Sequence, residues 1–209
     1  MQKVIFIDLD GTLTTASTWL SLNLYAGITP EEDHELFQQY LENKIQYNDW
    51  IKKIAQLYKS RGSITKDQLI AFANTIELRP DAAETIRKLK EKEYHPVILS
   101  GAVDTIVETI AKKLEVEDWF ACTQAVYTTD GIFDDFISGG DEAPLKLTLA
   151  IAYAEQHSLS LQECIAIDDG GNGVELFKHT KGILLGENKE LAPFAWKQVN
   201  SLSEITELI

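Results

Sequence analysis

Residues 4–12 read VIFIDLDGT. Four apolar residues run without alternation into Asp8, and a second acid, Asp10, follows one residue later, ahead of Gly11 and Thr12. An unbroken apolar run of this length, closed by Asp-Gly, predicts a strand over 3–9 that is buried on both faces, as strands of a parallel sheet are. Spacing by two puts Asp8 and Asp10 on one face of that strand end. An Asp-Gly-Thr turn that starts the next segment accounts for Asp10 and Gly11. It does not account for Asp8, an acid one step inside a buried strand. Two close carboxylates resist joint ionisation unless a cation lies between them or one keeps its proton. In such a pair one ionised carboxylate can attack phosphorus, and the other, partly protonated, can act as general acid and then as base.

Working outward, residues 14–78 carry almost no strand pattern and four helical ones. Thr18–Ala26 is closed by Gly27. Thr29, Pro30 and Glu32 form a capping box at the head of the second helix. Asn48 is expected to cap DWIKKIAQLYKS, which Gly62 stops, and Thr65 to cap KDQLIAFAN. After Arg79-Pro80 the texture changes to alternation. A helix over 81–92 precedes a strand over 95–99, and a helix over 103–114 follows. The segment 121–136 reads as a hairpin around Asp130-Gly131. A helix over 144–156, a strand over 164–168, a short helix over 172–178 and a strand over 182–185 complete the pattern. Alternating strands and helices predict an α/β fold with a parallel sheet covered on both faces. The expected organisation is a core of 1–13 plus 79–209, with a helical insertion at 14–78.

The chain has 209 residues and a formal charge of -14. That acidity excludes a general nucleic-acid binder, which needs a surplus of cations against phosphates. No apolar run of membrane length and no basic-then-apolar leader occurs, and Cys122 and Cys164 sit in apolar runs without metal-ligand spacing, as buried thiols do. A reduced cytoplasm is the expected location, with a small soluble ligand and neither nucleic acid nor membrane as partner. Among the expected oligomeric states the sequence makes no choice. No GxxxxGK[ST] loop is present, and His34, His95, His157 and His179 show no metal-type spacing.

Three strand ends carry polar residues: DLDGT at 8–12, SGA at 100–102 and DDGGNG at 168–173. Ligands of parallel α/β sheets bind at the carboxyl ends of strands. Ser100 caps a helix on the ordinary reading, and a hydroxyl beside free N–H groups at such a junction also cradles phosphate. Lys146, early in its helix, is by itself an ordinary surface lysine. The stretch IAIDDGGNG ends a second apolar strand in an acid pair, with glycines that admit close backbone approach. Two strands ending in acid pairs point to one shared divalent cation, and oxygen donors beside phosphate favour Mg²⁺ over zinc.

Taken together these residues resemble the haloacid-dehalogenase-like (HAD) hydrolase superfamily, and within it the phosphoserine-phosphatase-like group. The family's first motif, DxDGT, stands at Asp8–Thr12, its second at Ser100, its third at Lys146, and its fourth, usually GDGxND in this group, at 168–173. The resemblance implies a Rossmann-like core with a helical cap domain inserted after the first strand. It implies that Asp8 is the nucleophile, that Asp10 is the acid and base, and that Lys146 neutralises charge. Ser100, Gly101, Gly11 and Thr12, with Lys146, would bind the phosphoryl group. Mg²⁺ would be held by Asp8, the Asp10 carbonyl and Asp169, with Asp168 and Asn172 as further candidates. The implied activity is that of a phosphatase acting on a small phosphorylated metabolite through an aspartyl phosphate. The alternatives are a phosphotransferase using the same intermediate, and a non-catalytic phosphate-binding or phospho-switch protein.

The chain departs from the family pattern in two places. Gly173 stands where the fourth motif ends in an acid, and Asp168 stands where it begins with glycine. In the insertion, the stretch after the first motif is neutral and Ile54 occupies the position where phosphoserine phosphatases carry an arginine, which argues against L-phosphoserine. Trp19, Tyr25, Tyr47 and Trp50 are candidates for a pocket wall, each with helix packing as its simpler role.

Overall fold

A computed structural model describes residues 3–209; the first two positions of the 1–13 core segment lie outside the described residues. Strand β1 (Lys3–Ile7) is followed by four helices, α1 (Thr18–Tyr25), α2 (Pro30–Leu41), α3 (Tyr47–Ser60) and α4 (Lys66–Thr75). Then come α5 (Ala82–Glu91), β2 (Tyr94–Val103), α6 (Asp104–Lys113), β3 (Asp118–Tyr127), β4 (Phe133–Ser138) and α7 (Glu142–Gln156). The chain ends with β5 (Ile165–Asp168), α8 (Val174–Phe177), β6 (Lys181–Leu185), β7 (Lys197–Val199) and α9 (Leu202–Leu208).

The strands form one seven-stranded sheet in the order β4-β3-β2-β1-β5-β6-β7, parallel except for the hairpin strand β4. Strand β1 lies at its centre, flanked by β2 and β5. The apolar run of β1 explains this position. Val4 and Phe6 enter one core cluster with Ala150 and Tyr153 of α7 and Phe177 of α8. Ile5 and Ile7 enter the other with Ile86 of α5, Ile110 of α6 and Ile205 of α9. Each of these side chains is 3 % exposed or less, and full burial of a residue of this kind is worth about 1.5–3 kcal/mol. The α/β architecture with helices on both faces is the expected one. Strand β7 and helix α9 are additions that the sequence pattern did not reveal.

The boundaries moved for identifiable reasons. Helix α3 begins at Tyr47, with Gln46 as its extended N-cap, so Asn48 lies inside the helix. Burying Tyr47 and Trp50 on one face of the first turn outweighs the capping preference of an exposed asparagine. Helix α7 begins at Glu142, two residues before Pro144, because proline in a first turn lacks only an N–H that has no partner there. Strand β2 continues past Leu99 through Val103, with a register shift between Ser100 and Val103, the kind of irregularity that re-aims side chains at a sheet edge. The capping box at Thr29 and Glu32 is present as expected, and Thr65 forms a second one with Gln68.

The four helices of 18–75 leave and rejoin the sheet at one place. Thr14 bridges to Leu78 in antiparallel fashion, and the Arg79 N–H donates to the Leu13 carbonyl at 2.8 Å. Among the described residues no helix is long and apolar enough to cross a membrane.

Candidate active site

The carboxyl ends of β1, β2 and β5, the three central strands, converge on one spot. Asp8 follows β1, Ser100 lies in β2, and Asp168 closes β5. Lys146 reaches this spot from the second turn of α7. Its Nζ donates to Asp8 Oδ1 at 2.7 Å and to Asp168 Oδ2 at 2.9 Å, and all three side chains are buried. The lysine that looked ordinary in sequence is therefore completely enclosed. Burial works against its charge, yet the Asp168 and Asp8 carboxylates outweigh burial and hold its pKa above the usual lysine value.

Burial is also the main influence on the acids. It pushes Asp8 well above the usual carboxylate range despite Lys146, and the neighbouring Asp168 and Asp10 push the same way. Asp10 is pushed up to about 6, chiefly by burial, although the Thr18 hydroxyl and N–H pull it down. Asp10 Oδ2 accepts from the Thr18 N–H at 2.9 Å and its hydroxyl at 3.0 Å, while Oδ1 is buried with no partner. The start of α1 thus orients Asp10 through one oxygen and leaves the other without a partner. Asp169 is raised as well, by burial and then by Asp168. The two neighbouring acids of the opening motif therefore occupy different environments, one paired with a buried lysine and one partly protonated near neutrality.

Carboxylate oxygens of Asp8, Asp168 and Asp169 lie within 4.8 Å of one another. Oxygen donors at this separation, with more negative charge than Lys146 balances, fit a hard divalent cation. Of the expected metal residues, the Asp10 side chain stands outside this trio and would contribute only its backbone carbonyl. Asn172 donates from Nδ2 to Glu142 Oε2 at 2.9 Å, while its Oδ1 has no partner. Asp168 has both oxygens engaged, Oδ2 by Lys146 and Oδ1 by the Gly170 N–H at 2.9 Å.

That engagement explains the departure at Gly173. A Cβ at position 173 would stand 2.6 Å from Asp168 Cγ, so the Asp168 carboxylate fills the space a side chain at 173 would need. The carboxylate at 168 therefore occupies the space of a side chain at 173, and it accepts from Lys146. We expect Gly173→Asp and Asp168→Gly each to destabilise the protein, the first by overpacking of about 1–3 kcal/mol. The double exchange should recover at least about 1 kcal/mol of the summed loss, as coupled neighbours do. Urea midpoints of the four proteins measure this, and strictly additive losses would refute it.

The residues proposed to hold phosphate are spread around the same spot. The Ser100 Oγ accepts from the Ala102 N–H at 3.1 Å within β2 and does not cap α6, whose N-cap is Val103. Among the described residues, the N–H groups of Leu9, Asp10 and Gly11 find no acceptor, which leaves a run of free donors after Asp8. The Thr12 hydroxyl is committed elsewhere, donating to Asp169 Oδ1 at 2.9 Å. Gly11 has φ +76, and a Cβ there would collide with the Asp169 carboxylate, so only glycine lets the first and fourth motifs approach. Arg79 Nη2 donates to the Gly11 carbonyl at 2.6 Å and pins this loop.

Sequence reading missed Thr18, Arg79 and Glu142. Glu142 lies against Gly101, accepts from Tyr47 Oη at 3.2 Å and from Asn172, and lines a cavity of about 880 Å³ between α1–α3 and the sheet edge. Trp19, Tyr47 and Trp50 line that cavity and are buried in the core as well, so both of their candidate roles hold. Tyr25 does not line it; it stacks on Phe72 at 4.9 Å, half exposed. The first turn of α1 could have flagged Thr18, eight residues from Asp10; nothing local flags Glu142.

Residues 2–179 match the profile of the haloacid dehalogenase-like hydrolases. A phosphoserine phosphatase of Methanocaldococcus jannaschii is 26% identical over 180 residues, 85% of this chain and 82% of its own. A 2-hydroxy-3-keto-5-methylthiopentenyl-1-phosphate phosphatase of Microcystis aeruginosa is 29% identical over 114 residues, about half of each chain (54% and 51%). A solved phospho-aspartyl intermediate analogue of phosphoserine phosphatase superposes with a TM-score of 0.82 at 24% identity, covering 100% of this chain and 99% of the other. That likeness carries the fold, and the profile match carries the family. The chain belongs to the haloacid dehalogenase-like hydrolases, in their phosphoserine-phosphatase-like group, and is an enzyme of the phosphatase type.

Proposed function

We propose that this enzyme is a Mg²⁺-dependent phosphomonoester hydrolase acting on a small soluble phosphorylated metabolite through an aspartyl phosphate on Asp8. The observation that carries this reading is the division of labour between the two neighbouring acids. Asp8 is buried against Lys146 at 2.7 Å, and Asp10, two residues on, keeps an unpartnered buried oxygen and a pKa near 6. A carboxylate oxygen of Asp8 attacks phosphorus, and the bond from phosphorus to the ester oxygen breaks. The Asp10 carboxyl gives its proton to the departing alkoxide. Asp10, now ionised, takes a proton from water as the water oxygen attacks the same phosphorus. The bond from phosphorus to Asp8 breaks, inorganic phosphate leaves, and both acids return to their starting forms. Lys146 and the free N–H groups of 9–11 meet the charge on the phosphoryl oxygens, which is most of what phosphoryl transfer asks of a protein.

Asp8, Asp169 and the Asp10 carbonyl would hold Mg²⁺, with Asp168 behind them. When bound, the ion would neutralise charge on Asp8 and the phosphoryl group. The helices of 14–78 are proposed to act as a cap domain over the core of 1–13 and 79–209, closing to exclude water. A cytoplasmic setting accords with the two unpaired cysteines.

The test is hydrolysis of p-nitrophenyl phosphate and of alkyl phosphates, with Mg²⁺ and with chelator, across pH 5–9. Turnover should require the metal. Below about 6 Asp10 is protonated and above it ionised. Transfer from alkyl esters, whose leaving oxygen needs that proton, should therefore slow as pH rises past about 6, by up to tenfold per unit. Transfer from the nitrophenyl ester, which leaves as a stable anion, should not. Metal-independent turnover, or identical profiles for both leaving groups, would count against the reading. Phosphorylated products on adding alcohols, in place of inorganic phosphate, would make the enzyme a phosphotransferase.

A further inference from the structure

The cavity above the acid pair has an unusual lining. Its walls are aromatic: Trp19 on α1, Phe37 and Tyr40 on α2, Tyr47 and Trp50 on α3. Trp50 is the hub, with the rings of Trp19, Phe37, Tyr40 and Tyr47 all within 6.2 Å of its own. Phe37, which packs against Tyr40 and Trp50, is still 40% exposed and lines this space. The charged groups of the lining are one-sided. Asp33, Asp141, Glu142 and Glu190 border the cavity, together with Asp10 and Asp169 at its floor. Among the described residues that line it there is no lysine or arginine, and none of those four outer acids takes part in an ion pair. Three lining residues carry a buried side-chain atom with no partner: Asp10 Oδ1, Asn172 Oδ1 and Trp50 Nε1.

We infer that the substrate's organic part is an ammonium group without a carboxylate, so that the enzyme's substrates are phosphomonoesters of amino alcohols, primary or N-methylated. The inference rests on the phosphomonoesterase reading above. A cation among aromatic faces is drawn to their negative π surfaces, and desolvation strengthens this. The carboxylates around the cavity, half-buried at Asp33 and Glu142 and exposed at Asp141 and Glu190, add to the same field. The Glu142 carboxylate suits the N–H groups of a primary ammonium, and the aromatic faces suit a methylated one. A carboxylate in the same place would meet four acids and neither lysine nor arginine, with His34 as the one lining side chain able to carry a positive charge. L-Phosphoserine, which has both groups, is rejected on that account, in line with the neutral stretch after the first motif and with Ile54 in the core.

The experiment compares kcat/KM of the Mg²⁺-loaded full chain for choline phosphate, ethanolamine phosphate, L-phosphoserine, p-nitrophenyl phosphate and 3,3-dimethylbutyl phosphate, the neutral isostere of the choline ester. We expect choline phosphate to exceed its isostere at least about tenfold, and ethanolamine phosphate to exceed phosphoserine at least about a hundredfold, the scale of a desolvated cation–π contact and of a like-charge clash. Which of the two amines is preferred distinguishes a methylated from a primary substrate. Glu142→Gln should move the choline-to-isostere ratio towards one, and Glu142→Asp should restore part of it, whereas a merely structural loss would lower both substrates alike. Hydrolysis of the nitrophenyl ester with no preference for the amines would overturn this inference and leave the phosphatase reading intact. No hydrolysis of any ester would overturn the phosphatase reading. In that event tryptophan fluorescence, reporting from Trp19 and Trp50, decides the inference: choline binding more tightly than 3,3-dimethylbutanol supports it, and equal or absent binding ends it.

Discussion

Asp8→Asn is expected to abolish turnover, by about four orders of magnitude or more, in a protein that melts no earlier than the wild type. Loss on this scale follows from removing the atom that forms the covalent bond, since groups acting as a catalytic unit fail together. The stability half of the expectation comes from burial. Asp8 has a pKa well above the ordinary value in the folded protein. From about pH 4 upward the unfolded chain has therefore released a proton that the folded chain still holds, and folded stability falls as pH rises through that window. Asparagine fills the same volume without the charge. Its advantage in melting midpoint should be largest near neutral pH and shrink towards pH 4. Mg²⁺ should reverse the order, since binding at about one hundred times its dissociation constant stabilises the wild type by about 2.7 kcal/mol and the variant has lost a ligand. Thermal melts at two pH values, with and without Mg²⁺, measure all of this beside the assay. A folded Asp8→Asn protein with wild-type turnover would falsify Asp8 as nucleophile.

Lys146→Ala has the second-largest effect and acts in the opposite sense on stability. It leaves Asp8 and Asp168 buried with no counter-charge, a change that typically costs about 3–5 kcal/mol. For a chain of this size that lowers the melting midpoint by roughly 6–20 °C, at about 2–4 °C per kcal/mol. The deficit should narrow as pH falls, because protonating the stranded carboxylates removes the unpaired charge, and also on adding Mg²⁺, which supplies a cation in place of the lysine. Activity should fall about a thousandfold even where the protein is folded. A midpoint within 2 °C of wild type, measured at neutral pH in chelator, would show that the two acids are held by something other than Lys146 (about 1 kcal/mol or less, on the same scale).

The two variants together explain why the chain tolerates so many acids in one place. Asp8, Asp10, Asp168 and Asp169 are kept apart in function by what each one touches. Asp8 and Asp168 share the lysine, Asp10 is held by the start of α1, and Asp169 is held by Thr12. Asp168, in the space a side chain at 173 would need, shares the clamp on Lys146 from the end of β5.

Much of this was legible in the sequence because it is local. The apolar run of 4–7 dictates a central parallel strand, since only burial on both faces accommodates it. The alternation after residue 79 dictates the layered sheet, and acids at two strand ends, where parallel sheets bind ligands, dictate the position of the site. What the sequence did not contain is the environment of each group. Lys146 looks like any surface lysine until α7 carries it to Asp8, 138 residues away, and Asp168, 22 away. Gly173 looks like a lost acid until Asp168 is seen in its space. Glu142 has no local signature at all, and the aromatic wall it faces is assembled from three helices inserted between β1 and the rest of the sheet. Periodicity and strand-end residues are properties of neighbours in the chain, and they settled the fold and the acid pair. Burial, charge pairing and the lining of a cavity are properties of neighbours in space, and only the tertiary structure decided them.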